Sequence, residues 1–196
     1  MATYKSIAYS PISGGGSQVL LAKSTASSSS TISFTSGIDS TYKEYLFTFI
    51  NIHPSNDNAD SFGFNMSIDG GSNYNVAKTT TAFQSYHNEA DNATGLDYSA
   101  DRDLAQGTGD QVLNEGENLS ADNDHGLCGY LRLFNPSSTT FVKHFIASTS
   151  NISGADYSLR RFAAGYANTT SAVNAIIFRM SSNNIDAGTF KLYGIN

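Results

Sequence analysis

Apolar residues along this chain recur at every second position over short runs, and nowhere hold a spacing of 3.6 for three turns. Period two sends alternate side chains to opposite faces, so the predicted elements are strands. In "SFGFNMSID", Phe62, Phe64, Met66 and Ile68 fall on one face and Ser61, Gly63, Asn65, Ser67 and Asp69 on the other. That pattern predicts one dry and one wet face. The run closes on "DGGSNYN", where Gly70 and Gly71 suit the positive φ of a tight turn. "KEYLFTFINI" is different: Tyr45, Phe47 and Phe49 lie on one face and Leu46, Ile50 and Ile52 on the other, so cover on both sides is expected.

Upstream, "SQVLLAK" and "TISFTSG" read as two short strands around a "STASSSS" connection. Downstream, a strand is expected over Thr80–Tyr86 and a short one near Asp97–Leu104. "GLCGYLRLFN" and "TFVKHFIAS" read as the arms of a hairpin about a Pro-containing loop, Asn135–Thr139. Leu131, Leu133, Val142 and Ile146 are expected to face one core. "YSLRRFAAGYA", "AVNAIIFRMSS" and "TFKLYGIN" complete the set. About eight to ten strands with turn signals between them predict an all-β chain, an antiparallel two-sheet sandwich of jelly-roll-like form. Residues 1–16, ending in three glycines, read either as a short N-terminal arm or as a first edge strand; residues 17–196 are expected to form one sandwich domain.

Composition sharpens this picture. Charged residues make up 14% of the 196, against roughly 25% in ordinary soluble domains. Aromatics stay at 12%, which is not the signature of a disordered chain. Thr, Tyr and Phe favour strands, while Asn, Gly and Ser supply turns. The formal charge is −6 and Lys and Arg never cluster, which excludes the basic stripe that nucleic-acid binding requires. No apolar run approaches a membrane span, and "MATYKSIAYSP" lacks the apolar core of a secretory signal. Cys128 is the only cysteine, so no intrachain disulfide forms; within "GLCGYLRLF" it reads as a buried structural thiol.

Candidate chemistry is sparse. The stretch from His87 to Asp124 holds ten of the seventeen acidic residues. Asp101 and Asp103, then Asp122 and Asp124, place hard oxygen ligands at alternate positions, as calcium loops do, but the glutamate that completes such a loop is missing. A solvated acidic face is the alternative. The four histidines show no metal-ligand spacing, and His144, on the face of Val142 and Ile146, reads as a hydrogen-bonded core or sheet histidine. A glycosidase would need two carboxylates in a cleft, and Glu44, the main strand carboxylate, has no evident partner. No catalytic residue is assigned. Tyr74, Tyr86 and Tyr157 sit among loop asparagines and could stack on a glycan, although tryptophan is absent; sealing loop ends or subunit seams is the other reading.

"LFNPSSTTFVKHFIAS" followed by "AAGYANTTSAVNAIIFRMSSNNIDAGTFKLYGIN" resembles a module of virion proteins of marine tailed phages, including phages of cyanobacteria. "YKEYLFTFINIHP" and "FNMSIDGGSNYN" extend the resemblance to Ser36–Asn196. It implies a non-enzymatic structural protein of the virion, assembled in the host bacterial cytoplasm. The expected role is a capsid decoration or outer-head subunit, held by protein–protein contacts with other virion proteins and forming a homo-oligomer, such as a trimer. The alternative is a tail or fibre module that binds a host surface glycan. Tyr4, Ile7 and Tyr9 of the arm are expected to dock on the particle. Calcium at the four aspartates is the one cofactor weighed.

Overall fold

The computed structural model describes residues 17–57, 61–114 and 119–196, so Tyr4, Ile7 and Tyr9 lie outside the described residues. Twelve strands form: β1 (Gln18–Ser29), β2 (Ile32–Phe34), β3 (Glu44–Pro54), β4 (Phe62–Ser67), β5 (Lys78–Asn88) and β6 (Thr94–Tyr98), then β7 (Gln111–Val112), β8 (Leu127–Phe134), β9 (Lys143–Ile152), β10 (Tyr157–Ala167), β11 (Ala175–Met180) and β12 (Ile185–Ile195). No helix occurs among the described residues. Two antiparallel sheets pack as a sandwich: eight strands in the order β1-β12-β3-β8-β9-β10-β5-β6, and four in the order β2-β11-β4-β7.

The core fills the space between the sheets, as alternation along each strand dictates. Phe178 of the small sheet is its hub. Its ring centroid lies 5.0–6.4 Å from those of Phe34, Phe47, Phe49, Phe62, Phe64 and Phe190. Tilted and edge-on pairs of this kind each add about 0.5–1.5 kcal/mol beyond burial alone.

Several strands depart from the pattern expected of them. β3 is covered on one side only: Tyr45, Phe47 and Phe49 are buried while Leu46 is half-buried and Ile50 exposed. Asn51 adopts φ 51°, and the pairing with β8 skips from Phe49 to Ile52. This one-residue bulge returns Ile52 to the buried face. In β4 the dry face is as expected through Met66, but the expected wet face is dry too. Asn65 and Ser67 are buried: the loop around Thr108 and Asp110 folds across Asn65, and Ser67 is taken up by its bonds to Asp69 and Gly71 in the following turn. Ile68 lies beyond the strand and is exposed. β1 continues through most of the serine run, pairing Ala26 with Gly188 and Ser27 with Ala187, so "STASSS" is strand and not connection. Within the acidic stretch the strand is Thr94–Tyr98, earlier than expected, and residues 99–104 are loop.

The hairpin forms, with a longer loop than expected, since β9 begins at Lys143 and residues 140–142 are not strand, and with its inward set corrected. Asn135 takes φ 45° and donates its N–H to the Lys43 carbonyl at 2.6 Å. Leu131 and Leu133 face the core, but their partners on β9 are Phe145 and Ala147; Ile146 points outward. Lys143 opens the inward register of β9. Its buried ammonium donates to the carbonyls of Phe141 (2.7 Å) and Thr169 (3.0 Å). His144 is exposed on the outer face beside Tyr166. Cys128 also faces outward and is exposed, not buried. Glu44 is paired with Arg132 at 3.1 Å, an ion pair and not the second carboxylate a glycosidase would need.

Candidate functional site

The outer face of the large sheet carries the most conspicuous surface. Unbroken register aligns Tyr98 (β6), Phe83 (β5), Phe162 (β10), Ser148 (β9) and Tyr130 (β8) in one row. Tyr98 is 57% exposed, Phe83 41% and Tyr130 37%, and Leu96 beside them is 70% exposed. The Phe83 and Phe162 rings stack at 4.8 Å and 14°. Above Phe162 the Arg160 guanidinium lies 4.7 Å from the ring centre, with its Nε donating to Ser148 Oγ at 3.3 Å. Contacts of this kind hold the aromatic row in one shape; Ser148 is buried beside Arg160, while the rings of Tyr98, Phe83 and Tyr130 remain open.

One step along the strands runs a second row: Thr81, Ala164, Ile146 (48% exposed) and Arg132. A hollow of about 630 Å³ opens here between Ala164, Ile146, His144 and Tyr166. No Asp or Glu stands on the outer face of β6, β5, β10, β9 or β8, in a chain with seventeen of them. At the patch margins, the Tyr98 hydroxyl bonds to Asp103, which raises the phenol's pKa, and Arg132 is held by Glu44 of β3.

A polar cleft of about 690 Å³ lies on the opposite side of the molecule, over β4. A relay organises it. Lys78 Nζ donates to Asn65 Oδ1 (2.7 Å), Asn65 Nδ2 donates to Asp110 Oδ1 (3.1 Å), and Arg179 grips Asp110 with two bonds (2.7 and 2.9 Å). Burial pushes the Lys78 pKa down to about 8, against the opposing pull of Asp110. Burial also works to raise the Asp110 carboxyl, but its bonds and charge pairing with Arg179 hold it below the ordinary value. The network pins the loop before β7 onto the polar face of β4.

The three candidate tyrosines do not form one site. Tyr86 and Tyr157 come together at 6.0 Å, both half-buried, while Tyr74 stands apart in the polar cleft. The aspartates are engaged separately. Asp101 pairs with Arg102, Asp103 accepts from Tyr98, Asp122 lies beside His125, and Asp124 lines a pocket of about 540 Å³ with His53 and Cys128. Among the described residues, no three His, Cys, Asp or Glu side chains are grouped to hold a metal ion.

Sequence reading missed the aromatic row and the buried cations Lys78, Lys143 and Arg161. Arg161 is buried under the loop that supplies Ser99, its partner at 3.5 Å, and burial pushes its pKa down to about 10. The adjacent "RRF" carried a usable signal, since alternation must send Arg160 and Arg161 to opposite faces. No family model matches the chain, and no curated protein or solved structure was found to be similar to it.

Proposed function

We propose that this chain is a non-enzymatic structural subunit of a phage particle, most concretely a capsid decoration or outer-head protein working through protein–protein contacts. The observation that carries the reading is the exposed, acid-free aromatic face of the large sheet. Apolar patches of this extent on a soluble fold are contact surfaces. The charged groups of the polar cleft, by contrast, are spent on holding a loop in place. The resemblance of the carboxyl-terminal strands to marine phage virion modules supplies the kind of assembly. A cryo-electron microscopy map of the intact particle tests the reading. Density for this chain in icosahedral copies over the shell supports it, and absence of the chain from the particle refutes it.

A second reading is a tail or fibre module that binds a host glycan. It is favoured by Tyr74, whose ring stands in the same cleft as the Arg179–Asp110 pair, where a sugar could find both a stacking surface and hydrogen-bond partners. Tyr74→Ala is then expected to abolish binding of the soluble protein to host polysaccharide. Absence of wild-type binding to any host surface fraction rejects this reading.

A further inference from the structure

We infer that the outer face of the large sheet joins two copies of this chain face to face, about a two-fold axis that lies in the interface and runs across the strands between the two outer rows. The inference deepens the subunit reading above by naming the partner of that face.

The first argument is self-complementarity. An isologous contact is reciprocal: where residue i of one copy meets residue j of the other, residue j of the first meets residue i of the second. An axis between the rows sets Phe162 of one copy against Ala164 of the other, and Ile146 against Ser148. On each strand a large side chain thus meets a small one, and the order of large and small reverses from β10 to β9. Phe83 meets Thr81 on β5, and Tyr130 meets Arg132 on β8, where a ring faces a guanidinium. The ridge of one copy enters the hollow of the other. Such an axis runs the strands of the two sheets antiparallel, within the aligned class of sheet packing.

Charge gives the second argument. Each copy carries −6, so two copies repel over most of their surfaces. The outer face of these five strands carries no carboxylate of its own, and the two at its margins, Glu44 and Asp103, are already bonded to Arg132 and Tyr98, so docking there sets no unpaired acidic group against another.

Area gives the third. Five strands at about 4.8 Å spacing and six residues of rise give a patch on the order of 500 Å² in flat projection, more as accessible surface. Stable interfaces use roughly 800 Å² a side, so the expected dimer is a reversible one.

Sedimentation equilibrium of the full chain tests this. The mass should rise from 20.9 kDa toward twice that value as concentration increases through about 1–100 µM, the range of a micromolar Kd. Ile146→Lys and Phe83→Lys should each weaken the dimer by about tenfold or more, with unchanged circular dichroism. Leu20→Lys, equally exposed but on the far edge strand β1, should leave it intact. A monomer throughout this range overturns the inference, as does an oligomer indifferent to Ile146→Lys and Phe83→Lys. A monomer that binds another particle protein through this face also overturns it. A dimer absent from the particle, by contrast, would sink the virion reading and leave the inference standing.

Discussion

A Cβ placed on Gly188 would stand 3.0 Å from the carbonyl oxygen of Asn51 and 2.7 Å from Ile52 Cδ1. Gly188 has φ 134°, a conformation for glycine alone, and it sits where the register of β12 against β3 shifts. The bulge in β3 and the glycine in β12 therefore form one device. Gly188→Ala is expected to cost about 2–3 kcal/mol through backbone strain and contact with Ile52. A urea denaturation midpoint measures it, and an unchanged midpoint would show that the two strands do not depend on this glycine.

Phe178 touches six other rings, so its removal leaves a cavity that no single neighbour can fill. Phe178→Ala should destabilise the sandwich by about 3–5 kcal/mol, and Phe178→Leu by much less. Equilibrium unfolding of both variants checks the order of the two effects.

Lys78 links stability to alkaline pH. Its folded pKa of about 8 lies below the ordinary 10.5, so the unfolded chain binds more protons between those values. Raising the pH from about 8 to 10 should therefore add on the order of 2 kcal/mol from this group. The Tyr45 phenol, pushed above its ordinary 10.0 by burial, opposes this gain as the pH rises past about 10, where the unfolded chain gives up that proton before the folded one does. Melting temperatures over this window should rise in the wild type and rise less in Lys78→Gln.

Acid acts in the other direction. Bonds from Ser67 and from Asn73 lower the Asp69 pKa to about 2, and Asp110 also lies below its ordinary value. Groups depressed in the folded state stabilise it above the ordinary carboxylate range, and that stability is lost as pH falls from about 4 toward 2. Asp69→Asn should blunt this acid sensitivity and speed amide exchange at Gly71 and Asn73, since their turn is tied through Ser67 and Asp69. Exchange rates unchanged by the substitution would contradict this account.

The all-β class, the hairpin and the glycine turn were legible because each is written in local order. Period two marked β4, and Gly70 and Gly71 do take positive φ. What failed depends on events outside the run being read. One inserted residue at Asn51 resets the faces of β3, and a buried lysine at position 143 hides the inward parity of β9. The cover over Asn65 is itself polar, so hydrophobic patterning leaves no trace of it. The aromatic row was the least accessible. Phe83 and Phe162 stand far apart in sequence, and only cross-strand register brings them together.

The exposed thiol of Cys128 has a practical consequence. It is the single cysteine of the chain and lies near the start of β8, where its exposed Sγ accepts from the Asn51 N–H at 3.3 Å and donates to the Asn51 side-chain oxygen at 3.4 Å. One maleimide fluorophore per chain would attach there without unfolding anything. On particles of the kind proposed above, counting photobleaching steps would then give the copy number of this protein directly.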